Sequence, residues 1–188
     1  MTWTSGTVAR LTALALLGGI LQLSAIAQVT VFGVPADISA LLVVAVGLHG
    51  GSIAGALFGF AMGLFVDTAL MQTLGISSLV LTGVGYGAGR LRELRDPAHG
   101  LVPLAVGAAG TAIAAIGFSV MQFLLGVDAP VSLLLIRQIA IVIVLNTLLA
   151  VPVFAIVRRV LAPYLPDDPR RRRRRAYTTG GLSPLSRA

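Results

Sequence analysis

Residues 52–70 read Ser52-Ile-Ala-Gly55-Ala-Leu-Phe-Gly59-Phe-Ala-Met-Gly63-Leu-Phe-Val-Asp67-Thr-Ala-Leu70. This run contains no proline and one charged side chain, Asp67. Its length is close to the roughly 20 residues that a helix needs to cross a hydrocarbon core about 30 Å thick. Glycines fall at 51, 55, 59 and 63, a strict four-residue step. On a helix that step lines one face with hydrogen atoms only, so another backbone can approach closely. The stretch therefore reads as a membrane helix with a smooth groove. Gly51, Gly55, Gly59 and Gly63 are its candidate contacts, either for packing within a bundle or for docking another membrane protein.

The rest of the chain has the same character. Of its 188 residues 56% are hydrophobic before its 22 glycines are counted, and 11% are charged, against about 25% in a soluble domain. Such a short, apolar chain has too little polar surface to cover itself in water. That excludes an ordinary soluble enzyme, a disordered protein and a secreted disulfide scaffold. The absence of cysteine removes disulfides and thiolate metal sites as well. Five further apolar stretches flank the first, at Leu11–Val31, Ile38–Leu48, Ile76–Leu91, Leu101–Leu125 and Val131–Val157. The fold class expected is all-α, a six-transmembrane-helix bundle. The second and fourth stretches are short, and fit as tilted neighbours or re-entrant pieces.

Charge sets the orientation. Residues 1–157 carry five Arg and five acids, whereas residues 158–188 carry nine Arg and two Asp, the whole net charge of +7. With the N-terminus inside, Arg10, Arg90, Arg92, Arg95 and the basic tail fall on the cytoplasmic side, and the outer loops hold no Lys or Arg. The expected organisation is a short cytoplasmic N-terminus at 1–10, a six-helix transmembrane domain at 11–161 and a basic tail of disordered composition at 162–188. Arg10, the run Leu11–Leu23 and Ala25-Ile26-Ala27 imitate a signal peptide. The apolar run continues through Phe32, however, and more membrane sequence follows, so it reads as a retained span.

Intramembrane polar groups are candidate sites by default. Asp67 and Arg137 fall at similar depth near the outer ends of their segments, and form a candidate intramembrane pair. Asn146, mid-way along the last stretch, needs a partner on a neighbouring helix. Asp37 is placed to cap the second helix at the outer interface. Catalytic residues are lacking: His49 and His99 fall on the cytoplasmic side, and Ser77 and Ser78 on the other. No His pair has helical spacing, so neither metal nor cofactor is expected. The run Gly83-Val-Gly-Tyr-Gly-Ala-Gly89 lacks the strand and βαβ unit that a dinucleotide fingerprint requires. Arg170, Arg171, Arg172, Arg173, Arg174 and Arg175 stand beside a membrane segment, where anionic lipid headgroups are a nearer partner than nucleic acid.

From Pro35 to Leu91 the chain resembles the rod-shape-determining MreD family. The resemblance rests on Pro35 and Asp37 before an apolar run, on Gly55-Ala-Leu-Phe-Gly59-Phe60, and on Gly63-Leu64 with Asp67. It continues through Leu74-Gly75 and Leu79-Val-Leu-Thr-Gly83-Val-Gly85-Tyr-Gly87-Ala-Gly89-Arg90-Leu91. Ala36 separates the family's adjacent Pro-Asp, and the long arginine-rich tail is a second departure. The resemblance implies a non-enzymatic inner-membrane component of the cell-wall elongation machinery of rod-shaped bacteria. Implied partners are an MreC-like scaffold and, through it, MreB, RodA and a class B penicillin-binding protein. It also implies a fold similar to the substrate-binding subunits of energy-coupling-factor transporters. A small-solute-binding subunit of such a transporter is thus the alternative function. It would need an outer pocket with aromatics and converging polar groups, and the short outer loops offer little of either.

Overall fold

The computed structural model describes residues 5–26, 30–31, 33–35, 37–94, 102–126 and 133–164. Among the described residues the structure is all-helical apart from one pairing of two-residue strands. Helix α1 spans Ser5–Leu21 and runs into a π turn at Gln22–Ile26. Strands β1 (Thr30–Val31) and β2 (Val34–Pro35) pair antiparallel, with Thr30 opposite Pro35. Then follow α2 (Ile38–Gly50), α3 (Ser52–Ala69), α4 (Ile76–Leu94), α5 (Val102–Leu124) and α6 (Leu133–Leu161). The first helix thus starts six residues before the expected Leu11 and stops well short of Val31. At its end the Ser24 hydroxyl donates to the Ile20 carbonyl at 2.7 Å, a bond that competes with the backbone ladder.

Helix α2 is the core. Every residue from Ile38 to Leu48 is buried, as the sequence Ile-Ser-Ala-Leu-Leu-Val-Val-Ala-Val-Gly-Leu implies, since a helix apolar on all sides has no face for a polar solvent. It packs against α3, α4, α5 and α6. Leu41, Val43, Val44 and Val46 are fully enclosed with Met62 of α3, Leu81 of α4 and Val157 of α6. The shortest helix is therefore the centre of the bundle rather than a peripheral piece.

The start of α2 is held from outside itself. Asp37 caps it, its carboxylate accepting from the Ser39 amide at 3.0 Å, the Ser39 hydroxyl and the Ala40 amide. The Asn146 side chain of α6 accepts from the Asp37 amide at 3.1 Å and donates to the Asp37 carbonyl at 2.8 Å and the Thr111 hydroxyl at 3.2 Å. Gln22 accepts from the Ile38 amide at 2.8 Å. One amide thus ties α2, α5 and α6 together. The expectation that put Asp37 at the outer interface needs correcting: it meets α6 near the middle of a 29-residue helix. With 13 residues, α2 rises only about 20 Å and begins part-way down its neighbours.

At the opposite end the bundle closes on arginines. The Arg10 guanidinium donates to the Val160 carbonyl at 3.1 Å, so the start of α1 meets the end of α6. The Arg92 guanidinium donates to the His49 carbonyl at the end of α2. Among the described residues, four helical stretches are long and apolar enough to cross a membrane: Ser5–Ser24, Ser52–Ala69, Leu104–Leu124 and Leu133–Leu161. Of the other two helices, α2 is shorter, and α4 reaches 19 residues but carries Arg90, Arg92 and Glu93 in its last turns.

Replacing Asn146 with Leu strands the half-buried backbone groups of Asp37 and the buried Thr111 hydroxyl. Stability should fall by about 1–3 kcal/mol, the cost of an unsatisfied buried polar group, and Thr111→Val should cost less. Unfolding midpoints of purified variants in detergent measure both. An Asn146→Leu variant as stable as the parent would show that the amide does not hold the start of α2.

Candidate functional site

The glycine face of α3 is buried against α4 along its length. A side-chain carbon at Gly63 would strike the backbone of Ser77 and Ser78, one at Gly59 the backbone of Leu81 and Thr82, and one at Gly55 the Gly85 carbonyl and the Gly47 backbone. From the other side, Gly85 faces the Gly55 backbone, and Gly89 faces Gly51 and Ser52. As the contact moves down α3 from 63 to 55 it moves up α4 from 78 to 85, the register of an antiparallel pair. Gly47 of α2 joins where Gly55 meets Gly85, so three backbones converge there. Gly51 has a different duty: at φ +96° it makes the turn between α2 and α3, a conformation that glycine adopts without steric penalty.

The run from Gly83 to Gly89 divides between two faces. Gly85 and Gly89 point at α3, while Gly83 and Gly87, half a turn away, have open space beyond them. The alternating glycines thus give α4 one glycine face toward α3 and a second, uncovered one.

Each end of this seam is closed by a carboxylate. Asp67, near the end of α3 and fully buried, accepts from the amides of Gly75 at 2.8 Å and Ser77 at 3.3 Å, at the start of α4. Glu93, near the end of α4 and beyond the apolar stretch that stops at Leu91, accepts from the amide of Ser52 at 3.0 Å and its hydroxyl at 2.7 Å, at the start of α3. The first amides of a helix have no intrahelical acceptor and carry partial positive charge, so an anion from a neighbouring helix suits both places. The two Ser52 bonds, with a third from Arg90 at 3.1 Å, hold the Glu93 pKa down to about 2.

Asp67 and Arg137, expected as a pair, are not brought together. Asp67 is satisfied by α4, and the Arg137 side chain is exposed on α6. Among the described residues the one ion pair is Arg90–Glu93. The physical reason is the packing order: α3 lies on α4 and α2, whereas α6 lies on α5 and α2. The spacing from Asp67 to the Leu74-Gly75 turn carried the signal, since an acid just before a tight turn can cap the following helix. Glu93, Gly47 and the inward role of Gly85 and Gly89 were also missed. An acid next to each glycine run was the available clue.

Between α1 and α3 lies a cleft of about 420 Å³, lined by apolar side chains including Leu11, Ala15, Phe58 and Phe65, with Thr12. Arg170 to Arg175 and Asp128 lie outside the described residues.

A family model described as "rod shape-determining protein MreD" matches residues 5–160. No curated protein and no solved structure matches.

The seam makes a graded prediction. Gly55→Val and Gly59→Val set a branched side chain against backbone that cannot yield, and should cost at least about 3 kcal/mol, at the upper end for overpacking. Gly87→Val and Leu57→Val, on exposed faces, should stay close to the parent. The yield of monodisperse protein on size-exclusion chromatography ranks the four. Equal yields would show that α3 and α4 are not in backbone contact.

Proposed function

Because the chain belongs to the MreD family of rod shape-determining proteins, we propose that it is a non-enzymatic scaffold in the cell-wall elongation machinery of a rod-shaped bacterium. The family match across residues 5–160 carries the reading. The chain would seat an MreC-like membrane protein and, through it, MreB, RodA and a class B penicillin-binding protein. It would cross the inner membrane six times, with both termini in the cytoplasm. The arginine asymmetry supports that orientation, and the Arg10–Val160 bond supports placing the first and last helices with those ends on one side. The central position of α2 and the close pairing of α3 with α4 favour counting both among the spans despite their length and charge. On this reading residues 11–161 form the membrane domain, with a fold like the substrate-binding subunits of energy-coupling-factor transporters. Residues 162–188 form a basic tail whose arginines, 170 to 175, lie against anionic lipid.

In this scheme Gly55, Gly59 and Gly63 serve packing within the bundle, and partners meet the faces that remain. A scaffold needs a fixed outer shape, and a core tied by backbone contact supplies one. Affinity purification of the tagged full chain in mild detergent tests the role. Recovery of MreC-like and peptidoglycan-synthase partners is the expected result. Recovery of paired ATPase subunits in their place would overturn it in favour of a solute-capture subunit.

A further inference from the structure

We infer that Arg137 binds the phosphate of a phospholipid headgroup, at the end of the bundle opposite the arginines that close α6. The acid expected to neutralise Arg137 is occupied, since Asp67 is buried and takes two α4 amides. Among the described residues Arg137 has no hydrogen-bond or ion-pair partner, and its side chain is exposed. None of the described acids reaches Arg137, and a cation so placed on a membrane helix needs an anion from beyond them.

Depth indicates which anion. Arg137 lies in the second turn of α6, and Arg158 and Arg159 lie in its last turn. Twenty-one residues separate Arg137 from Arg158, about 32 Å of helix, close to the roughly 30 Å thickness of a hydrocarbon core. When Arg158 and Arg159 stand in one headgroup layer, Arg137 stands in the other. The side chains beneath that layer suit the tails: Val144, Leu148 and Val151, between Arg137 and Arg158 on α6, are 66%, 77% and 57% exposed. The arginine stem covers apolar surface while its head reaches the interface. The planar guanidinium presents paired donors to two oxygens of a phosphodiester, a match that an ammonium group lacks. A carboxylate on a partner helix fits the same fork, but phosphates are the anions present throughout that layer. The site lies at the opposite end of α6 from Arg158 and Arg159 and rests only on α6 spanning a bilayer.

Native mass spectrometry of the delipidated full chain in detergent, titrated with dioleoylphosphatidylglycerol, tests the assignment. Arg137→Gln should weaken one lipid-binding step about fivefold, the weight of one arginine near a headgroup layer. Arg137→Lys should retain part of it, and Arg158→Gln should affect a different step, additive with the first. Since Arg137 is exposed, size-exclusion profiles should match the parent. Unchanged lipid binding in Arg137→Gln would overturn the inference, as would displacement of the bound lipid by inorganic phosphate alone. Unchanged lipid binding with loss of a co-purifying membrane protein would reassign Arg137 to a partner's carboxylate and also overturn it. The titration uses the purified chain without partners, so its outcome is independent of the scaffold role.

Discussion

Backbone contact between α3 and α4 is the constraint on which the rest of the molecule depends. In lipid, apolar side chains gain little by leaving one hydrocarbon environment for another, so helices associate through close packing and interhelical hydrogen bonds. Glycine on both sides of a seam brings the main chains near enough for dispersion contacts along several turns. Gly55, Gly59 and Gly63 supply one wall, Gly85 and Gly89 the other, and Gly47 lets α2 into the same junction. With α2 drawn in, its all-apolar surface becomes the core around which α5 and α6 close.

Polar groups serve the ends of helices. Asp37 caps its own helix, Asp67 caps α4, and Glu93 caps α3. Arg92 and Arg10 meet the closing carbonyls of α2 and α6. In each case the sign of the charge opposes the helix dipole: acids at starts, arginines at ends. Four of these five contacts also cross from one helix to another, so each fixes the relative height of two elements. Asn146 does the same without charge. This explains how a body with five arginines and five acids sets the register of six helices with a single ion pair among its described residues. It also sets Arg137 apart, as the arginine of α6 whose charge closes no helix end.

Much of this was legible in the sequence because its signals are local. Apolar run lengths located α2 to α6 within a few residues, and the four-residue glycine step identified the face of α3 that meets a backbone. Helix rotation and relative height were not legible, because no spacing along one helix encodes the azimuth of another. Asp67 and Arg137 share a depth by counting yet face different neighbours. Asp37 sits at a helix start by sequence, and only the Asn146 contact reveals how far down the bundle that start lies. The end of α1 was overestimated because apolar content alone does not distinguish helix from the turn and short hairpin that follow it.

Such a core keeps the outward faces in fixed positions, with α4 presenting Gly83, Tyr86 and Gly87 to its surroundings. That rigidity depends on one proximity that is directly measurable. In magic-angle-spinning NMR of the glycine-labelled full chain in lipid bilayers, the α-carbons of Gly55 and Gly85 should show a through-space cross-peak between helices. Gly83, on the opposite face of α4, should show none to α3. Assigned resonances for Gly55 and Gly85 with no cross-peak between them would contradict the account.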